Sequence, residues 1–100
     1  MKERIVEFAP EAVTDLQSLY DWIERAAGPE TAFGYISRIE TFCRGMAFGA
    51  ERGRSRADIR PGLRIVGFER RVTIAFTVTE TRVLILRLFY GGRDWERLFE

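Results

Sequence analysis

Apolar residues recur at steps of three and four over the first half of the chain, which predicts two amphipathic helices. The first stripe covers residues 12–27 and follows Pro10, a residue that suits the first turn of a helix. A Gly-Pro pair at 28–29 ends this helix and starts the next, whose stripe covers residues 32–46. A short apolar segment at 4–8 predicts a strand ahead of both helices.

The second half of the chain changes to the period-two alternation of β-strands. Three strands are predicted, at 63–68, 71–79 and 83–90. Residues 50–61 are predicted as loop, and the short connections between the strands make them antiparallel neighbours. The last strand is nearly all apolar, as expected of a strand covered on both faces, and only Arg87 interrupts it. The predicted order is β-α-α-β-β-β, an α+β fold in which a helical hairpin packs on a small, mostly antiparallel sheet, in a single domain of residues 1–100.

The composition excludes several classes of chemistry. The chain has no His, which removes Ser-His-Asp and Cys-His nucleophile systems and His-ligated zinc sites, and we expect neither a metal nor a cofactor. Its single cysteine, Cys43, cannot form an internal disulfide, which suits a reducing cytoplasm. No apolar run approaches the roughly 20 residues that span a bilayer, and no signal peptide is visible. We therefore expect a cytoplasmic protein that does not contact the membrane.

Arginine dominates the basic residues, although the net charge is only +1. Every basic residue except Lys2 is an arginine, whose planar fork matches carboxylate and phosphate groups better than an ammonium does. Arginines cluster in a basic turn at 53–64 and again at 86–94, on either side of the apolar strands. This arrangement predicts a rigid sheet that presents cations to an anionic partner.

Three segments of the chain carry a family resemblance. They are residues 8–23, with Phe-Ala-Pro-Glu-Ala, Asp-Leu and Tyr-Asp-Trp-Ile in succession, the basic loop at 56–64, and the last strand with its tail at 85–94. In this order and spacing they resemble the ParE branch of the RelE/ParE toxin superfamily over essentially the whole chain. The resemblance implies the toxin of a type II toxin–antitoxin system, encoded beside a ParD-like antitoxin with which it forms a hetero-oligomer.

The resemblance leaves the activity open, because two activities occur on this fold. ParE-like toxins act on DNA gyrase and trap the enzyme with cleaved DNA, whereas RelE-like relatives cut mRNA in the ribosomal A site. The site residues must decide between them. A third alternative is a non-toxic remnant that still binds its antitoxin.

RNA cleavage by the 2′-hydroxyl needs a base, an acid and cations that stabilise the phosphorane. The set that this chain can offer is Tyr90 with Arg87 and Arg93, provided that nearby arginines lower the pKa of the tyrosine. RelE-like nucleases resemble one another in combining Lys and Arg with a Tyr, or Glu with Arg and His, and this chain has no Lys after Lys2 and no His. The missing proton-transfer set favours a protein that inhibits gyrase by binding and is not itself an enzyme.

The candidates for contact with gyrase, and indirectly with the DNA that gyrase holds, lie in the basic loop, the last strand and the tail. They are Arg56, Arg60, Arg64, Arg87, Tyr90, Arg93, Asp94 and Trp95. A structural role is the alternative for several of them. Because a charge in an apolar strand must be paired, Arg87 is predicted to form an ion pair with Asp58 or Asp94.

Similar alternatives apply to the remaining candidates. Of the three loop arginines, Arg64 is predicted to be structural and the other two to be solvated. Trp95 and Phe99 are predicted to form a lid on the sheet edge or, alternatively, to insert into the target, since Trp is a frequent interface anchor. Trp22 lies close to the apolar arc of the first helix and is predicted to pack.

Overall fold

The computed structural model describes residues 3–91 and residue 96. Its elements, in chain order, are β1 (Ile5–Phe8), α1 (Pro10–Ala27), α2 (Pro29–Arg44), a 3₁₀ turn (Gly45–Ala47), β2 (Arg54–Ser55), β3 (Leu63–Phe68), β4 (Val72–Val78) and β5 (Arg82–Tyr90). The strands form one five-stranded sheet in the order β1-β5-β4-β3-β2, and α1 and α2 form a hairpin packed against it. The predicted α+β fold is confirmed.

The sheet is antiparallel except at one edge, where β1 runs parallel to β5. One strand was missed, because residues 50–61 were predicted as loop and Arg54–Ser55 pairs with β3 as strand β2. Both residues of β2 are exposed, so this strand carries no apolar alternation that a sequence pattern could show. Gly53 precedes it with a φ of 66°, and its backbone lies directly against the carbonyl of Ile65.

The break between the two helices follows from the Gly-Pro pair. Gly28 has a φ of 94°, a left-handed conformation that favours glycine, and its N–H donates to the carbonyl of Glu24 to close α1. Pro29 then occupies the first position of α2, where its missing N–H costs nothing. The predicted boundary is confirmed. No helix within the described residues is both long enough and apolar enough to cross a membrane.

The main core lies between the helical hairpin and the sheet. Ile39 and Met46 on the helical side meet Phe76 and Ile85 on the strands, and all four are fully buried. Cys43 is buried in the same cluster, and burial raises the pKa of its thiol to about 12. The thiol therefore stays protonated at neutral pH and acts as a small apolar group.

A second, smaller cluster lies on the other face of the sheet. Leu63, Ile65, Ala75 and Phe89 are buried there, with Ile59 and Leu86 packed against them. β5 therefore contributes to apolar clusters on both of its faces, which confirms the interpretation of its continuous apolar sequence.

A β-bulge in β5 sets the direction of its side chains. Ala75 pairs with Arg87 and Phe76 with Ile85, so Leu86 is an extra residue in β5. Ile85 and Leu88 are three positions apart, yet both pack in the helix-side cluster, which a regular strand does not allow. Ala75, which pairs with Arg87, and Phe89, whose ring lies under the Arg87 guanidinium, both belong to the cluster on the other face of the sheet.

Candidate functional site

Arg87 is held by an aspartate of the first helix. Its Nε and Nη2 atoms donate hydrogen bonds of 2.8 and 3.1 Å to the carboxylate of Asp15. The Asp15 side chain is 15% exposed and that of Arg87 is 26% exposed, so the pair is largely shielded from water. The hydrogen bond to Asp15 raises the pKa of Arg87, which keeps the guanidinium charged.

The same carboxylate completes the edge of the sheet. β1 ends at Phe8, opposite Ile85, and the N–H of Leu88 lies beyond this point and donates to Asp15 at 2.9 Å. A buried backbone N–H without an acceptor is costly. The Asp15 carboxylate therefore provides the acceptor that a backbone carbonyl of β1 would provide if the strand continued. The predicted ion pairing of Arg87 is confirmed, but its partner among the described residues is Asp15 and not Asp58. Asp58 pairs with another arginine, and Asp94 lies outside the described residues.

The basic loop is also internally paired. Arg56 donates two hydrogen bonds of 2.9 Å to Asp58 and a third of 3.3 Å to Glu96. Its side chain is only 18% exposed, so the prediction of a solvated Arg56 is wrong. These contacts raise the pKa of Arg56, and the guanidinium lowers the pKa of Asp58. The sequence signal was available, because an aspartate two positions after an arginine in a turn lies within reach of its fork.

The other two loop arginines differ in their surroundings. Arg64 is half-buried in β3, and its Nε donates to the backbone carbonyl of Arg52 at 3.2 Å, which agrees with the predicted structural role. Arg60 is exposed at the turn that leads into β3. The loop is closed by backbone hydrogen bonds, among them one of 2.8 Å from the N–H of Arg56 to the carbonyl of Leu63.

Tyr90 ends β5 in contact with residues that sequence reasoning did not associate with it. Its hydroxyl lies 3.4 Å from Nη1 of Arg71, which donates to it, and its ring lies 4.9 Å from the ring of Trp22. Trp22 packs as predicted, although it remains 50% exposed. Arg87, in contrast, contacts Asp15 and lies 5.1 Å over the ring of Phe89. The structure therefore gives Tyr90 and Arg87 separate sets of partners.

A groove of about 560 Å³ opens beside Tyr90, between the end of α1, the start of α2 and the β3–β4 turn. We call it the corner groove and define it by Trp22, Ala26, Tyr35, Arg38, Arg71 and Tyr90. Small residues, including Ala26 and Gly34, leave room at its base, whereas aromatic and charged side chains form its walls. No sequence signal pointed to this groove, because its residues come from four separate elements.

A buried hydroxyl without a partner lies at the wall of the corner groove. The hydroxyl of Tyr35 is buried and has no hydrogen-bond partner among the described residues. Burial, followed by the charge of Glu69, raises the pKa of Tyr35, so the phenol remains a donor at neutral pH. Arg38 covers the Tyr35 ring at 5.1 Å and donates hydrogen bonds of 3.0 and 3.2 Å to Glu69 in the β3–β4 turn.

A second groove, of about 530 Å³, follows the seam between the two helices. We call it the hairpin groove and define it by Val13, Leu16, Tyr20, Ile36 and Arg44. Val13 is 51% exposed, and Phe33 on α2 is 68% exposed. Two large apolar side chains thus remain accessible on the helical layer.

Comparison with known proteins identifies the family. The chain matches the family model described as the ParE toxin of the type II toxin-antitoxin system, parDE, over residues 6–95. This chain belongs to the ParE toxin family. A solved structure described as the chromosomal ParDE TA system from P. aeruginosa is similar, with a TM-score of 0.78 and 25% sequence identity, covering 90% of this chain and 98% of that chain. The search of curated proteins gave no match.

The remaining predicted site residues of this ParE-family chain fall in its tail. Arg93, Asp94, Trp95 and Phe99 lie outside the described residues, so the predicted lid and the tail contacts stay predictions. Among the residues that the structure describes, no group of three or more His, Cys, Asp and Glu side chains could hold a metal ion. The described chemistry of the site is therefore that of guanidinium groups, two tyrosine hydroxyls and exposed apolar side chains.

Proposed function

We propose that this ParE-family chain is a toxin that inhibits DNA gyrase by binding it, traps gyrase with cleaved DNA, and is neutralised by a ParD-like antitoxin. The family match covers residues 6–95, which supports a toxin of this type. The observation that carries the choice of gyrase over mRNA is the engagement of Arg87 by Asp15.

A nuclease of the RelE kind needs its cations and its proton carrier directed at one phosphate. Arg87 uses two of its donors on Asp15, and Tyr90 contacts Arg71 and Trp22 instead. Releasing Arg87 toward RNA would take two hydrogen bonds and the neutralising charge away from the largely shielded carboxylate of Asp15, which would keep only the N–H of Leu88 among these donors. This arrangement favours a structural role for Arg87 and supports a toxin that binds its target without cleaving RNA.

The target-binding surface that we propose combines the basic loop with the end of β5 and the tail. Its proposed contact residues are Arg60, Tyr90, Arg93, Asp94 and Trp95, and Arg56, Arg64 and Arg87 belong to it as the arginines that hold the loop and the strand in position. Within it Arg60 is exposed, whereas Arg56 and Arg64 hold the loop in shape through contacts with Asp58 and the Arg52 carbonyl. We infer that Arg60 contacts gyrase or its DNA, and each phosphate contact would add to the salt dependence of binding.

The antitoxin is proposed to lay an amphipathic helix in the hairpin groove. Val13, Leu16 and Ile36 line this groove, and such apolar residues suit the helix-in-groove mode, in which apolar side chains of one helix face anchor the partner. Acidic residues of the antitoxin would neutralise the exposed arginines. Reversing the charge with Arg60→Glu and Arg93→Glu is expected to weaken antitoxin binding, and unchanged binding would contradict this part of the proposal.

A gyrase supercoiling assay tests the function directly. Purified chain, gyrase, ATP and relaxed plasmid are incubated, and a detergent step reveals trapped cleavage complexes. Loss of supercoiling with accumulation of linear DNA is expected. Tyr90→Phe keeps the ring that packs on Trp22 and removes only the hydroxyl, so this variant is expected to retain the inhibition, as is its matched control Tyr20→Phe on α1. Unchanged supercoiling at large excess of the chain, together with ribosome-dependent mRNA cleavage that Tyr90→Phe abolishes, would replace gyrase with mRNA as the target.

A further inference from the structure

We propose that a groove at the β2–β3 edge of the sheet binds a backbone phosphate of the DNA that gyrase holds. We call it the edge groove, of about 340 Å³, and define it by its lining residues, Gly53, Arg54, Ile65, Val66, Gly67 and Thr73. The inference rests on the proposed function, because it takes gyrase with its DNA as the target. It adds a site, a class of ligand and three residues, Arg54, Gly67 and Thr73, to the proposed target-binding surface.

The backbone of β3 presents an unused donor at this edge. Ile65 turns its carbonyl toward β2, where the backbone of Gly53 lies directly against it. In an antiparallel pair every second residue turns its N–H and C=O groups toward the same neighbour, so Gly67 faces this edge as well. β2 begins at Arg54, opposite Ile65, and no described strand residue lies opposite Gly67. The N–H of Gly67 can therefore donate to an incoming acceptor.

Gly67 has none of the usual structural reasons for a glycine. Its φ is not left-handed, and a Cβ atom at this position would meet no described atom within 4 Å. β3 pairs with β4 in a continuous register, so no bulge requires it either. A glycine inside a strand weakens the strand, and one reason for its presence is the close approach of a ligand to the backbone. The exposed, open surface above Gly67 favours this explanation.

The side chains beside Gly67 complete a set of donors that suits a phosphate. Thr73 pairs with Gly67, and Arg54 pairs with Ile65, so both side chains lie on the face of the sheet away from the helices. Guanidinium groups, hydroxyl groups and backbone N–H groups are the donors that contact phosphate oxygens in protein–DNA interfaces.

The charge of the edge groove is positive and uncompensated. Arg54 is exposed and is the one charged residue among those that line the groove. Within the part of the chain that the structure describes, no carboxylate forms an ion pair with it. Asp58, the nearest acidic residue of the basic loop, accepts two hydrogen bonds from Arg56. An anionic ligand therefore meets a guanidinium that has no competing partner.

The position of the edge groove favours the target over the antitoxin. The pKa of Asp58 is lowered by hydrogen bonds from Arg56 and also by the charge of Arg54, so Arg54 lies close to the basic loop of the proposed target-binding surface. The hairpin groove, in contrast, includes Phe8 of β1, and β1 and β2 are the opposite edges of the sheet. A helix in the hairpin groove is thus far from the edge groove.

DNA is the part of the target that fits two exposed arginines at the ends of one loop. Arg54 precedes the basic loop and Arg60 lies at the turn that leads into β3, and both side chains are exposed. Each DNA strand presents a charge about every 3.4 Å along the helix axis, so neighbouring phosphates can engage both cations. The edge groove then holds one phosphate, and Arg60 contacts another.

Binding of the fluorescently labelled chain to gyrase, with and without a bound duplex DNA, tests the site by fluorescence polarisation. We expect the duplex to raise the affinity of the unaltered chain. Arg54→Gln should raise the dissociation constant for the gyrase–DNA complex about tenfold, as for a lost hydrogen bond between charged groups. It should change the constant for gyrase without DNA less than about twofold. The slope of log affinity against log salt should become shallower by about one in the complex with DNA.

Arg25→Gln is the matched control for charge, because Arg25 is exposed on α1 and away from the sheet edge. Its dissociation constants should stay within about twofold of those of the unaltered chain. Thr73→Val removes the hydroxyl and keeps the shape of the side chain, so it should weaken binding to the gyrase–DNA complex. Thr77→Val, on the same strand and the same face but outside the groove, should not.

Gly67→Ala gives a second test, because two effects of opposite sign are expected. The added methyl group enters open space, and alanine loses less conformational entropy on folding, so the melting temperature of the free chain should rise. The same methyl group occupies the space into which the phosphate must approach, so the dissociation constant for the gyrase–DNA complex should rise as well. A merely structural role of Gly67 cannot produce both results.

Several outcomes overturn the inference. Unchanged binding of Arg54→Gln and Gly67→Ala to the gyrase–DNA complex, or an affinity of the unaltered chain that DNA does not raise, would overturn it and leave the proposed function standing. Equal losses with and without DNA would assign the groove to a group of gyrase itself. Equal losses in Arg54→Gln and Arg25→Gln would show long-range charge attraction without a groove contact. Failure of the unaltered chain to bind gyrase in either form would overturn both the inference and the proposed target.

Discussion

Asp15 accepts two hydrogen bonds from the guanidinium of Arg87 and a third from the N–H of Leu88, so one helix carboxylate both neutralises a strand cation and closes the sheet edge. The β-bulge at Leu86 directly precedes this contact, and Ala75, which pairs with Arg87, belongs to the cluster on the face away from the helices, whereas Asp15 lies on α1. The first helix and the last strand are thereby joined by a polar contact within an otherwise apolar interface.

The first prediction follows from this contact. Asp15→Ala is expected to lower the free energy of unfolding by about 2–3 kcal/mol, because it leaves a shielded guanidinium and a backbone N–H without their acceptor. Asp21→Ala, an exposed aspartate on the same helix, serves as the control and should change stability by no more than about 0.5 kcal/mol. Urea unfolding measures both. Equal effects of the two substitutions would show that the Asp15 contact contributes nothing to stability.

The second prediction concerns the close approach of Gly53 to β3. A Cβ atom at this position would overlap the carbonyl oxygen of Ile65, and the φ of 66° is strained for any other residue. Gly53→Ala should therefore destabilise the chain by about 1–3 kcal/mol. Gly34 is the matched control, because its added Cβ would meet only Nη1 of Arg38 at 3.9 Å. Gly34→Ala lies within α2 and should stabilise by about 0.5–1 kcal/mol. Thermal unfolding should show a lower melting temperature for Gly53→Ala and a higher one for Gly34→Ala. A shift of both melting temperatures in the same direction would contradict the explanation.

Elements with a periodic apolar pattern could be predicted from the sequence, and elements without one could not. The two helices and β3 to β5 bury one or both faces, so the spacing of their apolar residues predicts these elements. β2 has two exposed residues and depends on the backbone contact of Gly53 with Ile65, which leaves no such pattern.

The partners of the candidate site residues could not be predicted from sequence patterns either. Sequence spacing placed Arg87 and Tyr90 correctly on the last strand, but their partners Asp15, Arg71 and Trp22 lie far away along the chain. Such pairs depend on how helices and strands dock, and a single sequence contains no local signal for docking. Arg56 and Asp58 are the exception, because their contact spans two residues and was within reach of local reasoning.

The third prediction concerns backbone strain at the tip of the β3–β4 hairpin. The N–H of Arg71 donates to the carbonyl of Phe68 at 3.0 Å, and the two central residues of this turn, Glu69 and Arg70, both have positive φ, the geometry in which Asn-Gly is preferred. Arg70→Gly should therefore raise the free energy of unfolding by about 1 kcal/mol, because glycine adopts this conformation without a steric cost. Arg70→Ala removes the same charge and keeps the steric cost, so it is the matched control. Equal stability of the two variants in urea unfolding would show that the turn is not strained.

The fourth prediction is a pH dependence that originates at Glu69. Hydrogen bonds from Arg38, and then its charge, lower the pKa of Glu69 below its ordinary value of 4.5. A carboxyl whose pKa is lower in the folded than in the unfolded chain binds protons more readily when unfolded. Its stabilising contribution is therefore fully present above pH 4.5 and is lost as the pH falls through the folded pKa.

Glu69→Gln should consequently reduce stability near neutral pH and make the decline below pH 4.5 shallower than in the unaltered chain. Arg38→Gln tests the stated cause, because it keeps the carboxylate and removes the hydrogen bonds that lower its pKa. It should produce the same shallower decline, and the double variant should add little to either single change. Urea unfolding from neutral to acidic pH measures the slopes. A decline in Arg38→Gln as steep as that of the unaltered chain would mean that the acid sensitivity arises elsewhere, for example at Asp58, whose pKa Arg56 lowers in the same way.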